Sequence, residues 1–225
     1  MTSTSDQREV LAALKSASFK SEDIPVLGDA GAVVGYLAPI TSADVDDYEL
    51  LEALCRWRSL AKYGFLTVFE PSVEKTRSYL TGFSLPDPGR ILFLVRDSDG
   101  RSVGNIGLCN VNTDAAELDN VVRGETVPVS GFMRLVIAAV LNFAFDKLNV
   151  GRVYLNVLSN NDAAFQSYIR AGFSKIGTQA LERTETSDGF RLSPSEQLVP
   201  DAGLPRLILM EMQRPAGPAS PSALP

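Results

Sequence analysis

A mixed α/β fold, with one mixed sheet flanked by helices, is what this sequence predicts, on three observations. Strand-length apolar runs joined by tight turns dominate the first half, and strands linked through helices dominate the second. The longest helical pattern is wet on one narrow stripe only, so it lies against a sheet. The 225 residues are 45% hydrophobic and 21% charged, enough to bury a sizeable core.

Met1 to about Gly28 is polar with one short helical pattern (Val10, Leu11, Leu14), and reads as an appendage to a domain over residues 29–213. Gly28 to Gly35 is a glycine-rich turn feeding a first strand, Val33–Ile40. Thr41 or Ser42 caps a helix that opens with Ala43, Asp44 and Asp46, acids suited to the positive end of a helix dipole. Its apolar pattern continues through Leu50, Leu51, Leu54 and Trp57. A second helix starts near Pro71, whose fixed φ suits a first turn, and runs to Leu80. Ile91–Val95 is a continuous apolar strand, Asp97-Ser98-Asp99-Gly100 a hairpin turn, and Val103–Val111 the returning antiparallel strand. Another strand, Ala116–Val122, follows.

The long helix runs from Gly131 to about Leu148. Arg134, Asn142 and Asp146 form its wet stripe, and Leu135, Val136, Ala139, Val140 and Phe143 its apolar side. Arg152–Leu158 alternates as a strand, and Asn161–Ala171 is a short helix. Phe173–Ala180 and Leu207–Met212 are two more strands, separated by a long polar segment from Glu182 to Gly203 to which no role is assigned. Residues 214–225, with four prolines from Pro215 onward, read as a low-complexity, disordered tail.

Composition excludes several chemistries. Lys and Arg total 21 against 27 Asp and Glu, giving a net charge of −6, which repels phosphate backbones and argues against a nucleic-acid partner. The histidine count is 0, so no Ser-His-Asp triad, Cys-His pair or HExxH zinc helix can be built. A general base has to be a carboxylate, a Lys, a Cys, a Tyr or a water, and no metal site is expected. Cys55 and Cys109 form no CxxC pair and read as buried free thiols in a reducing compartment. The N-terminus lacks a basic start followed by an apolar stretch, and no run reaches about 18 apolar residues. A cytoplasmic protein with no membrane partner is expected.

The chemistry concentrates between Glu117 and Phe173. The strand ending in Arg123-Gly124 leads through a loop into the helix at Gly131. A loop entering a helix presents unpaired N–H groups and a positive dipole end, a seat for a pyrophosphate. The loop lacks the Gly-Lys-Ser/Thr of a nucleotide P-loop, which disfavours ATP chemistry. An ordinary strand-to-helix turn explains the same residues. Farther on, Asn161, Ala164, Tyr168 and Gly172-Phe173 are spaced N-x-x-A-x-x-x-Y-x-x-x-G-F.

That spacing resembles the GNAT acyl-CoA N-acyltransferase superfamily. Arg123-Gly124, the loop, the long helix and the VYLNV strand follow in that superfamily's order, and Ala116-Glu117-Leu118 resembles its strand before the loop. The loop itself, RGETVPVSG, departs from the superfamily's R/Q-x-x-G-x-G/A spelling. The resemblance covers roughly Tyr36 to Met212. It implies a mostly antiparallel sheet splayed between the Glu117 and Val153 strands, with acetyl-CoA as donor and coenzyme A as product. It implies cofactor contacts from Val121, Val122, Arg123, Gly124, Ser130, Gly131, Phe132, Met133, Asn161, Ala164 and Tyr168, and N–H groups around Val121 and Val122 for an oxyanion. Tyr168 is then the proton donor to the departing thiolate. Glu117 is the expected base, directly or through water, with Asp119 on the same strand face as its lesser partner. Arg56, Trp57 and Arg58 lie on the helix that borders the acceptor site in that superfamily.

Each residue also has a structural explanation. Tyr168 and Trp57 are of the core type, Asn161 is a natural helix cap, the two acids fit a solvated strand face, and the arginines fit an outer surface. The expected activity is acetyl transfer to a primary amine of a small metabolite such as an amino sugar. Acetylation of a protein N-terminus or lysine, and a non-catalytic acyl-CoA-binding module, are the alternatives. A homodimer is compatible with all three.

Overall fold

A computed structural model describes residues 4–16, 23–196 and 203–215. Strand β4 (Ile91–Asp97) explains its layering. Ile91, Phe93 and Val95 enter one core, with the apolar side of a long helix, while Leu92 and Leu94 enter another, with Leu50, Leu51, Leu54 and Trp57. A strand covered on both faces reads as a continuous apolar run, and this one does.

The main sheet contains β1 (Ile24–Leu27), β2 (Val33–Pro39), β4, β5 (Ser102–Cys109), β6 (Ala115–Arg123), β7 (Arg152–Leu158), β8 (Ser174–Gln179) and β11 (Leu207–Gln213). Its eight strands lie in the order β1-β2-β4-β5-β6-β7-β11-β8. All neighbours are antiparallel except β6 and β7. Helices α1 (Thr4–Lys15) and α4 (Phe132–Asn142) cover one face, and α2 (Tyr48–Leu60) and α3 (Val73–Tyr79) the other. The expected mostly antiparallel sheet flanked by helices is present.

Three sequence expectations are corrected. The stretch up to Gly28 belongs to the fold: Leu11 is fully buried in the α4 core, and β1 pairs with β2 as the sheet's first strand. A boundary at Gly28 therefore falls inside a hairpin. The helix expected from Ala43 is a single turn, Asp44–Asp46, because Asp44 turns back to accept from the Thr41 backbone and hydroxyl; α2 begins at Tyr48, with Asp47 accepting from the Leu50 N–H. The polar segment after residue 181 forms a hairpin, β9 (Leu181–Thr186) with β10 (Gly189–Pro194), and β10 pairs with β3 (Thr67–Phe69) in a second sheet of three strands. The tail beyond residue 215 lies outside the described residues.

The turn after β4 follows its sequence closely. Asp97 Oδ1 accepts from the Asp99 and Arg101 N–H groups, Oδ2 from Arg101 Nε, and Gly100 takes a φ of 81° that suits glycine. Among the described residues no helix is long and apolar enough to cross a membrane.

Candidate active site

Strands β6 and β7 pair only through Ala115–Arg152, Ala116–Val153 and Glu117–Tyr154, then diverge. Below the divergence lies α5 (Asp162–Arg170), whose N-cap Asn161 accepts from the Ala164 N–H at 3.3 Å. Between them opens a cavity of about 1020 Å³. Glu117, Asp119, Val121, Val122, Arg123, Asn161, Ala164 and Tyr168 all line it. The structure thus brings together these eight residues singled out from sequence, and Arg58 makes a ninth.

The edge of β6 is irregular at this point. Gly107 pairs with Asp119 and Asn105 with Val122, so β6 carries one residue more than β5 across the same interval. The extra residue is accommodated at Asn120, whose φ is 52°, a left-handed conformation that asparagine tolerates. Face parity changes accordingly: Leu118 enters the α4 core, and Val122, four positions later, enters the α2 core.

Glu117 is held rather than free. Its Oε2 accepts from Asn110 Nδ2 at 2.7 Å and lies 3.7 Å from the Cys109 thiol, and its Oε1 accepts from Asn156 Nδ2 at 2.9 Å. Asp119 is paired. Its Oδ2 accepts from Arg90 Nη1 at 2.7 Å and from Asn120 Nδ2 at 2.9 Å, while Oδ1 accepts from the Asn120 N–H. Asp119 is therefore an anchor for Arg90 and the β6 irregularity, and the reading of it as a solvated acid is corrected. Tyr168 is buried, with its ring edge-on to Phe173 at 6.1 Å. Burial, then the Asp119 charge, push its hydroxyl well above the ordinary tyrosine range, so it stays protonated at neutral pH.

The three residues expected at the acceptor side separate. Trp57 is core: it is 1% exposed, and its Nε1 donates to Glu125 Oε1 at 2.9 Å. Arg56 pairs with the same carboxylate at the surface. Only Arg58 reaches the cavity, its guanidinium stacked 3.7 Å over the Phe65 ring and donating to the Thr67 carbonyl. Its Nη1 has no hydrogen-bond partner, and burial lowers its pKa to about 10, against the pull of Asp119 and Tyr79.

Gly124, Ser130, Gly131, Phe132 and Met133 lie outside the cavity lining. A Cβ on Gly124 would sit 2.2 Å from the Trp57 indole, and the Phe132 ring lies against Gly35, so both serve packing. Gly131 is the N-cap of α4 and offers no side chain to its first turn, where the Phe132 N–H donates to the Val129 carbonyl at 3.2 Å and the Arg134 N–H to the Gly131 carbonyl at 2.8 Å. Cys55 is half-buried and Cys109 buried, both free.

Sequence reasoning missed Arg90, Tyr79, Asn105, Asn120 and Asn156, all in the lining. They lie on five different elements or their flanks, with no spacing to link them. The one local signal was Asp119-Asn120, a pair prone to irregular backbone inside an otherwise apolar strand.

The sequence profile of the acetyltransferase (GNAT) domain matches residues 36–174, and the chain belongs to that family. It is an N-acetyltransferase by fold and family, and the family's acyl donor is acetyl-CoA. Spermidine N(1)-acetyltransferase of Vibrio cholerae is 26% identical over 133 residues, 58% of this chain and 75% of that protein. A crystal structure of the spermidine N-acetyltransferase from Vibrio cholerae with CoA and spermine superposes with a TM-score of 0.54 at 18% identity, covering 79% of this chain and 94% of that one. An acetyl transferase of Salmonella typhimurium that modifies the N-terminal serine of ribosomal protein L7/L12 superposes at 0.64 with 15% identity, over 86% of this chain and 100% of the other. At such identities the structural likeness is one of fold.

Proposed function

We propose that this chain moves an acetyl group from acetyl-CoA to the primary amine of a small, polar metabolite of the amino-sugar kind, by direct attack and with no covalent enzyme intermediate. The supporting observation is the cavity under the diverging strands, where the β6 irregularity, Glu117 and Tyr168 line one space. Its charged lining is Arg58, Lys75, Arg90 and Arg123 against Glu117 and Asp119. Four cations against two acids suit an acceptor with hydroxyls or an anionic group better than a polycation.

The donor, when bound, supplies an acyl thioester. Asn161, Ala164 and the positive dipole end of α4 are the groups suited to hold it. Glu117, fixed by Asn110 and Asn156, takes a proton from the acceptor ammonium through water. The amide of Val121, on the side of β6 that β7 has left, faces charge developing on the carbonyl oxygen, while Val122 pairs with Asn105 of β5. Tyr168, kept protonated by its burial, gives a proton to the departing sulfur. No step needs a histidine.

Thiol release from acetyl-CoA, read by mass with amino sugars, polyamines, and peptides with free N-termini or lysines, tests this reading. Turnover is expected with the amino sugars. Turnover confined to peptides or polyamines would overturn the acceptor class. Saturating acetyl-CoA, at about 100 times its Kd, is expected to stabilise the fold by about 2.7 kcal/mol, and an unchanged Tm would overturn the donor.

A further inference from the structure

We infer that Asn105 is a positioning residue for catalysis: its side chain fixes the Asn120–Val121 peptide so that the Val121 N–H points into the cavity as an oxyanion donor. The inference rests on the acetyl-transfer reading above and adds a residue outside its machinery.

The geometry carries it. Asn105 lies on β5, is 6% exposed, and donates from Nδ2 to the Asn120 carbonyl at 2.7 Å. There are no cis peptide bonds among the described residues, so the carbonyl of Asn120 and the N–H of Val121 point in opposite directions. With the carbonyl drawn to Asn105 on one side of β6, the Val121 N–H is turned to the other, where β7 has already left the ladder. Val121 lines the cavity at that point.

A left-handed residue in a strand is not held by the ladder, since the irregularity interrupts it. Side chains hold this one instead. Asp119 Oδ1 accepts from the Asn120 N–H at 2.8 Å, and Asn120 Nδ2 donates to Asp119 Oδ2 at 2.9 Å and to the Tyr79 hydroxyl at 3.1 Å. Arg90 holds that carboxylate from the far side at 2.7 Å. Every one of these bonds fixes Asn120 and its N-terminal peptide. The bond from Asn105 is the one that sets the peptide on its C-terminal side, whose N–H does the chemistry. Rotation of that peptide would put a carbonyl where charge develops, turning a stabilising dipole into a repelling one.

The experiment is Asn105→Leu, which keeps the volume and removes the donor. Three quantities are read: kcat and KM for acetyl-CoA with the best acceptor of the panel, Tm, and the amide resonance of Val121 on titration with acetyl-CoA. The expected result is a fall in kcat on the order of 10²-fold, with KM for acetyl-CoA within about twofold by the same reasoning, since uniform binding is untouched. The Val121 amide is expected to shift on binding in the wild type and to lose that shift in the variant. If Asn105→Leu does not fold, Asn105→Ser, whose hydroxyl is too short to reach the carbonyl, carries the same expectation. A folded variant with undiminished kcat, or with the Val121 shift retained, overturns the proposal and leaves the acetyl-transfer reading standing. A wild-type protein that transfers acetyl to no amine overturns both.

Discussion

Tyr168 and Glu117 are where the site can be tested one side chain at a time. Tyr168→Phe removes only the hydroxyl from a ring whose contact with Phe173 remains, so acetyl-CoA affinity is expected to hold while turnover falls by about 10² to 10⁴. Undiminished turnover would reduce Tyr168 to packing. Glu117→Gln is expected to cost far more at neutral than at high pH, where the amine has already lost its proton. A loss uniform across pH would make the carboxylate an orienting group. These two were legible in the sequence because the N-x-x-A-x-x-x-Y spacing and the strand before the loop are local. The partners of Asp119 were not. Its tie to Arg90 joins positions 29 apart in the chain, a distance over which no periodicity speaks. Trp57 illustrates the reverse case, a residue close to the site in sequence whose indole Glu125 and Gly124 hold in the core.

Among the elements, those with one strong period are the most legible in the sequence. β7 is found at Arg152–Leu158 as expected, and α5 within a residue of its expected ends, because alternation and a cap-to-glycine frame leave little freedom. Helix α1 is faint in the sequence, since a polar helix with a single deeply buried leucine carries little pattern. Leu11→Ala is expected to cost about 2 to 5 kcal/mol by chemical denaturation, as for a core leucine; a negligible loss would restore the view of an appendage. The β4–β5 hairpin has its own signature with pH. Burial works to raise the Asp97 pKa, but the Arg101 side-chain and backbone bonds, the Arg101 charge and the Asp99 N–H outweigh it and hold the carboxyl below its ordinary value. Its contribution is therefore full above the unfolded value of about 3.9 and is lost as pH falls through the folded one. Asp97→Asn is expected to be less stable than wild type at pH 7, with the two Tm values converging below about pH 4. A gap independent of pH would assign the effect to hydrogen bonding alone.

Across the whole molecule, the least legible feature was the second sheet, because β3 and β10 stand more than 100 residues apart in a chain of 225. Each is short, and neither has a pattern until the other is beside it. This sheet bears on function: Thr67 and Phe69 of β3 line the cavity, and β10 supports them from behind. A Cβ on Gly189 would come within 1.9 Å of the Val68 carbonyl oxygen, so Gly189→Ala is expected to part the two strands at that end. The acceptor KM should rise several-fold, with acetyl-CoA affinity kept; equal changes in both would show that the two sheets act as one unit. The order of strands also has a temporal side. β11 lies between β7 and β8 and supplies every ladder bond β8 has in the main sheet. Among the described strands β11 comes last, so during translation β8 emerges before its partner and β7 with only its short pairing to β6, and these two edges wait for β11. The nascent chain carries open strand edges for that interval, and a ribosome that stalls before Leu207 leaves a product with both β7 and β8 exposed to pairing with other chains.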